Sequence, residues 1–286
     1  TEFVGFTEEE TQALCEQYNM DFEECRRWYD GYAMHYRDKS FDLYNPKSVV
    51  QAMMNKEFDD YWPKTGSYES IKIYISMNFD GIKDDVKAMI AGEHIDVNIK
   101  KYMNTMTDFY SKDDVFTYLI HLGYLAYDRI EKQCYIPNHE ICTEWINAIE
   151  DDKSYAEAIR IVNNSKLLLD KTVKGDAQAV AEALSAAHEQ LMSRQRYNHE
   201  AGLQSAIRFA YFYATSRYTI ISELPAGKGY ADVVFIPYVP NVPAMIVELK
   251  RNQTTGAALQ QIETKQYFNV MDKYQGDLLL VAVNYD

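Results

Sequence analysis

Asp232, Glu248 and Lys250 are the residues of this 286-residue chain whose types and spacing most plainly allow chemistry. Asp232 lies inside an apolar run, Gly229-Tyr230-Ala231-Asp232-Val233-Val234-Phe235. Glu248 and Lys250 close a second run, Ala244-Met245-Ile246-Val247-Glu248-Leu249-Lys250. Both runs read as buried strands, and buried unpaired charge is costly enough that such groups pair or bind a metal. Alternate side chains of a strand share a face. Glu248 and Lys250 are therefore expected to point the same way, with Leu249 in the opposite, apolar layer. Two carboxylates and a lysine converging on one face suit a divalent cation and an activated water. A bare Glu-x-Lys is a weak signal: Glu263-Thr264-Lys265 is another, and it sits in a helical pattern that needs no catalytic reading.

The elements around these residues strengthen the signal. An amphipathic helix is expected over about Tyr197 to Ser216, with Glu200 near its start. A strand follows from Tyr218 to Leu224, then a turn at Pro225-Ala226-Gly227-Lys228-Gly229, then the Asp232 strand. A proline-containing loop leads to the Glu248 strand. A helix from about Gly256 to Met271 and a strand from Asp277 to Asn284 complete the set. The order is α-β-β-β-α-β, and a helix between the third and fourth strands implies a crossover and a mixed sheet.

On these residues the segment from Arg196 to Asp286 resembles the restriction-endonuclease-like core of the PD-(D/E)xK nucleases. Asp232 matches the motif's aspartate, Glu248-Leu249-Lys250 its (D/E)xK, and Glu200 the acidic residue of the first helix. Gln261 and Lys265, in Gln261-Ile262-Glu263-Thr264-Lys265-Gln266-Tyr267, match the Gln-x-x-x-Lys-x-Tyr of one subgroup; their spacing of four places both on one helix face. No proline precedes Asp232, a departure the family tolerates. The resemblance implies that Asp232, Glu248 and the carbonyl of Leu249 hold Mg²⁺ or Mn²⁺. It implies that Glu200 binds a second ion or its water, and that Lys250 orients or deprotonates the attacking water. Gln261 and Lys265 would support the site or the phosphate. The implied activity is metal-dependent hydrolysis of nucleic-acid phosphodiester bonds, with DNA favoured over RNA. Two alternatives stand beside it: a nuclease fold kept for binding nucleic acid or protein with weak or no cleavage, and a signalling ATPase whose C-terminal region only senses a ligand.

The first two thirds of the chain carry a second resemblance. Phe3-Val4-Gly5-Phe6-Thr7-Glu8-Glu9-Glu10, Trp28-Tyr29-Asp30-Gly31-Tyr32 and Leu43-Tyr44-Asn45-Pro46-Lys47-Ser48-Val49 resemble the latter half of an AAA-ATPase-like region often fused to this nuclease type in bacterial proteins. No Gly-x-x-x-x-Gly-Lys-Ser/Thr occurs, so a phosphate cradle is not expected. With the non-Met start, this implies that a P-loop ATPase module precedes these motifs in a longer protein. Thr7 is a good N-cap for a helix to Tyr18, with Glu8, Glu9 and Glu10 complementing its dipole. Asp21 caps Phe22–Tyr29, and Asn45-Pro46 opens a helix to Met54. Trp28, Tyr29, Tyr32, Tyr61 and Trp62 read as core aromatics of a small helical lid.

From about Glu93 the pattern becomes a strand at Ile95-Asp96-Val97, a helix over Asp113–Leu122, a hairpin of Tyr124–Arg129 and Gln133–Pro137, and a helix over Ile141–Ile149. That order resembles a winged helix. Its recognition position carries Lys112 against Asp113 and Asp114, so a structural or autoregulatory wing is preferred to a DNA reader. The expected division is residues 1–90 as lid-like region, 91–150 as winged-helix-like module, 151–190 as an Ala-rich helical connector broken at Gly175-Asp176, and 191–286 as the nuclease-like domain.

The net charge of −14 argues against a DNA enzyme until it is divided. From Ala187 onward there are 9 Lys/Arg and 9 Asp/Glu, whereas the first 186 residues hold 20 and 34. Nucleic-acid contact must then be local, with Arg194, Arg196, Lys228, Lys250, Arg251 and Lys265 as candidates, while the acidic part repels phosphates or meets a basic partner. Hydrophobic content of 47% and aromatic content of 14% suit a globular, cytoplasmic protein, and no apolar run is long enough for a membrane span. A homo-oligomer is left open. Cys15, Cys25, Cys134 and Cys142 are too few and scattered for a disulfide scaffold. Cys134, His139 and Cys142 read as packed thiols and a turn histidine, since a fourth ligand and finger-like spacing are absent.

Overall fold

A computed structural model describes residues 5–36, 39–62, 67–77, 79, 81–101, 109–191, 200–226, 229–251 and 277–285. The chain divides into two compact units, Thr1–Ala156 and Glu157–Asp286.

The first unit opens with α1 (Glu8–Tyr18), whose N-terminus carries a full capping box: Thr7 accepts from the Glu10 amide, and Glu10 accepts from the Thr7 amide. α2 (Phe22–Tyr29) is capped by Asp21. The hairpin β1 (Tyr32–Tyr36) and β2 (Lys39–Leu43) follows. Next comes α3 (Pro46–Asn55), with Asn45 as cap and Pro46 where its missing N–H costs nothing. α4 (Ser67–Ser76) and α5 (Ile82–Ile90) come next. α5 presents the stripe Ile82, Val86, Met89 and Ile90 to the interior, at the spacing an amphipathic helix requires. The core beneath α1–α3 gathers Cys15, Cys25, Tyr29, Tyr44, Val49, Ala52 and Met53, with Phe6, Trp28, Phe58 and Tyr61 packed against it. The tyrosine hydroxyls find backbone partners: Tyr29 donates to the Asp59 carbonyl at 2.8 Å and Tyr32 to that of Gly123 at 2.7 Å.

The rest of this unit is β3 (Ile95–Asp96), α6 (Lys112–His121), β4 (Ala126–Asp128), β5 (Gln133–Tyr135) and α7 (His139–Ile149). The strands form an antiparallel sheet of order β3-β5-β4. The strand–helix–hairpin–helix order is thus the one expected from the sequence, with each strand a residue or more shorter. Lys112, at the start of α6, is engaged by Asp85 of α5 at 2.6 Å. The Trp28–Tyr32 segment is tied to this sheet: Tyr135 donates to the Gly31 carbonyl at 3.0 Å and Asn138 to that of Asp30 at 2.8 Å.

The second unit begins with α8 (Ala156–Val173) and α9 (Ala177–Leu191), separated at Gly175, whose φ of +75° ends α8. α10 (Glu200–Ala210) packs along α9 and buries Leu203, Ala206, Ile207 and Ala210. The expected helix ran to Ser216. Instead the α-helix stops at Ala210, and Phe212–Ser216 form a tighter 3₁₀ segment. There the Thr215 and Ser216 hydroxyls donate to the carbonyls three residues back, a local competition that shortens the last turns.

Four strands follow: β6 (Tyr218–Ala226), β7 (Gly229–Pro237), β8 (Ala244–Arg251) and β9 (Leu278–Tyr285), in the order β6-β7-β8-β9. The first two pairings are antiparallel, and β8–β9 is parallel. The sheet is therefore mixed, as the α-β-β-β-α-β order required. β6 continues into the expected turn, through Pro225 to Ala226, and the proline is tolerated because β6 is an edge strand among the described residues. A core cluster of the sheet gathers Ala231, Val234, Ala244 and Ile246 with Leu224, Ile236, Leu278 and Leu280. Elsewhere in the unit Phe235 packs against Tyr211 and Tyr218, and Tyr211 is hydrogen-bonded to Thr172 of α8 at 2.6 Å. The expected helix from Gly256 to Met271 lies outside the described residues.

Candidate active site

The strand pair β7–β8 builds the site. Its register matches Phe235 with Met245, Val234 with Ile246, and Val233 with Val247. These six side chains are buried. The next positions along the two strands are Asp232 and Glu248, and the ladder stops there. The β6–β7 ladder has a gap at the same place: Ser222 pairs with Val233 and Leu224 with Ala231, passing over Glu223 and Asp232. Asp232 thus sits where backbone pairing lapses on both sides of β7.

Its carboxylate takes over part of that pairing. Asp232 Oδ2 accepts the backbone N–H of Leu249 at 2.6 Å, a short, charge-assisted bond that fixes the carboxylate across from β8. Asp232 is 9% exposed and Glu248 fully buried. Lys250 Nζ donates to Glu248 Oε1 at 2.9 Å. That bond shows Glu248 and Lys250 on one face of β8, as their spacing of two predicts, and Leu249 is buried. In the parallel ladder Glu248 lies beside Ala282 and Lys250 beside Asn284.

The other expected site residues are placed less completely. Glu200 stands at the first position of α10; nothing is described of its side chain. Gln261, Lys265, Arg194, Arg196 and Lys228 lie outside the described residues, and Arg251 ends β8. Leu249 enters through its amide, a role the sequence did not suggest. Among the described residues no three of His, Cys, Asp and Glu are gathered as an ion would need. Asp232 and Glu248 nevertheless offer the hard oxygen donors that Mg²⁺ and Mn²⁺ prefer, and Mg²⁺ commonly takes only one or two carboxylates besides water and substrate phosphate.

Residues 198–286 match the family model of the PD-(D/E)XK nuclease superfamily. The matched segment holds α10, the four-stranded mixed sheet, Asp232 and Glu248-Leu249-Lys250, and the sheet is consistent with a PD-(D/E)XK nuclease-like fold. No curated protein and no solved structure matches the chain.

The first unit buries titratable groups of a different kind, several of them on α7. Glu140 is fully buried and accepts from the Ser48 hydroxyl at 2.9 Å and the Tyr61 amide at 2.8 Å. Burial pushes its carboxyl up to about 7. Glu144, one turn on, is raised to about 7 by burial and then by the neighbouring Asp60 carboxyl. His139 packs edge-on against Trp28 and is lowered to about 4 by burial, then by Arg27. Glu140 ties α3 and the segment after it to α7, and His139 packs α7 against α2. Cys134 is fully buried in β5, and burial raises both its thiol and that of Cys142 to about 12, so neither is a ready thiolate.

Proposed function

We propose that the second unit is a metal-dependent phosphodiesterase acting on nucleic acid, with DNA favoured over RNA. The observation that carries this reading is the meeting of Asp232 and Glu248 where the β7–β8 ladder ends, with Lys250 on the same face. Buried acids at the end of a ladder, inside a segment matching a nuclease superfamily, have a ready explanation as cation ligands. Asp232 and Glu248, with the Leu249 carbonyl, would hold Mg²⁺ or Mn²⁺, and Glu200 would contribute to a second ion or its water. When bound, the ion supplies positive charge against the scissile phosphate.

The chain's own groups do the rest. The Leu249 amide keeps Asp232 from turning away, so its carboxylate stays directed at one place. Burial of Glu248 keeps competing water from its carboxylate, which strengthens every charge interaction there. Lys250, resting on Glu248, is held ready to donate to the attacking water or to a phosphate oxygen. Gln261 and Lys265 would support the phosphate. The first unit is read as a regulatory region of ATPase-like ancestry with a winged-helix-like module. Engagement of Lys112 by Asp85 and the acids Asp113 and Asp114 in the first turn of α6 favour a structural wing over a DNA reader.

A cleavage panel tests the proposal: single- and double-stranded DNA and RNA, with Mn²⁺, Mg²⁺ or EDTA. Cleavage that needs the metal and is lost in Glu248→Gln supports it. Metal-dependent binding of nucleic acid without cleavage of any substrate would favour the nuclease fold kept as a binding module.

A further inference from the structure

β6 and β7 form an arm that ends beside the carboxylate pair, and its tip has two features that packing does not account for. Glu223 lies in left-handed backbone, φ +54°, a conformation a glutamate adopts at an energetic cost and one that collects at functional sites. It stands at the gap in the β6–β7 ladder, opposite Asp232. Beyond this kink Tyr230 is 61% exposed. It pairs in register with Pro225, also exposed, so an aromatic and a proline ring lie side by side at the tip. A single exposed tyrosine is ordinary; its location is not. Tyr230 precedes Asp232 by two residues, about 7 Å along the strand, at the end of the sheet where Glu248 and Lys250 close β8. A single nucleotide bridges that distance.

We propose that Tyr230 stacks on a nucleobase next to the scissile phosphate, and that the substrate therefore has an unpaired base there, as in a single strand or a frayed end. This rests on the phosphodiesterase reading. A tyrosine ring offers a π-face to any base, and a base exposes its own face only when unpaired. A phosphate would instead call for Lys or Arg. Pairing is interrupted at Glu223, and beyond that gap Tyr230 is exposed while Asp232 is 9% exposed.

The test uses the full chain as wild type, Tyr230→Ala, Tyr230→Phe and Tyr230→Trp. The probes are a short single-stranded oligonucleotide carrying 2-aminopurine and its duplex, both in EDTA so that nothing is cut. Tyr230→Ala should weaken single-strand binding by about 5- to 100-fold, abolish quenching of 2-aminopurine and leave duplex binding within about twofold. Tyr230→Phe and Tyr230→Trp should keep affinity and quenching, and the melting temperature of Tyr230→Ala should match wild type because the ring is exposed. Where binding needs metal, the same comparison is read from kcat/KM with Mn²⁺. Equal losses on single strand and duplex, or unchanged single-strand binding and quenching, would overturn the role of Tyr230 while wild-type cleavage leaves the phosphodiesterase reading standing. A wild-type protein that neither binds nor cuts any oligonucleotide overturns both.

Discussion

Asp232 is held by a backbone amide and Glu248 by an ammonium, so neither carboxylate depends on a metal to be tolerated in the fold. Asp232→Asn and Glu248→Gln should then fold normally, with melting temperatures within a few degrees of wild type, while metal-dependent cleavage falls at least about 100-fold. Wild-type cleavage by both variants would remove them from the chemistry. Lys250 is the more searching case, because its pairing with Glu248 at 2.9 Å is what a merely structural lysine would also do. If it acts on water or phosphate, Lys250→Ala loses turnover and keeps Mn²⁺ affinity, with a slight gain from removing a nearby positive charge. Lys250→Arg should not restore turnover, since a planar fork cannot replace a compact ammonium. If it is structural, Lys250→Ala lowers the melting temperature and leaves turnover per folded molecule unchanged. Melting, Mn²⁺ affinity and cleavage on one preparation separate the two.

At the scale of elements, the junction of α2 and β1 and the helix α7 each give a measurable consequence. Gly31 has φ +108°, and a Cβ there would lie 2.0 Å from the Pro137 carbonyl oxygen. Both the conformation and the close backbone approach exclude a side chain. Gly31→Ala should destabilise the first unit by on the order of 3 kcal/mol, seen as a lower denaturation midpoint. α7 sets a pH dependence. Glu140 and Glu144 hold their protons to about 7 in the fold against an ordinary value of 4.5. Their contribution is therefore full below 4.5 and is lost as pH rises to about 7. His139, lowered from 6.5 to about 4, acts oppositely: its contribution is full above 6.5 and is lost as pH falls. Two carboxyls outweigh one imidazole, so stability should fall as pH rises between about 5.5 and 6.5. Glu24 and Asp30, also raised by burial, lean the same way as the carboxyls. The double variant Glu140→Gln/Glu144→Gln leaves His139 dominant, and its melting temperature should rise with pH over that interval. An unchanged slope would show that these carboxyls titrate normally.

For the whole molecule, the charge division decides how nucleic acid is met. The excess of acid lies before Ala187 and the remainder is neutral, so binding must rest on a few cations. If all six of Arg194, Arg196, Lys228, Lys250, Arg251 and Lys265 meet phosphates, the slope of log K against log salt on a single strand is about −4 at its steepest. A steeper slope in a salt titration would mean that cations beyond these six also contribute. Among the described residues no helix is long and apolar enough to cross a membrane.

Much of the site was legible because it is written locally. Charge inside an apolar run marked Asp232 and Glu248, and a period of two put Lys250 on the face of Glu248, where the ion pair now shows it. The caps at Thr7, Asp21 and Asn45 were legible for the same reason: a cap acts within one turn of its helix. Other features arise from partners distant in the chain. The hairpin β1–β2 went unread, having no Asn-Gly or Asp-Gly turn to announce it. Glu140, at a helix N-terminus, looks like a solvated residue until Ser48 and Tyr61 close over it. That the ladder ends at Asp232 and Glu248, that Asp232 takes the Leu249 amide, and that Glu223 turns left-handed all depend on register between strands. The sequence by itself determined which residues carry charge into the sheet and the order of the elements that bring them there. Only the tertiary structure decided where backbone pairing stops and hands its hydrogen bond to a side chain, because strand register is set by packing across the whole sheet rather than by any one strand.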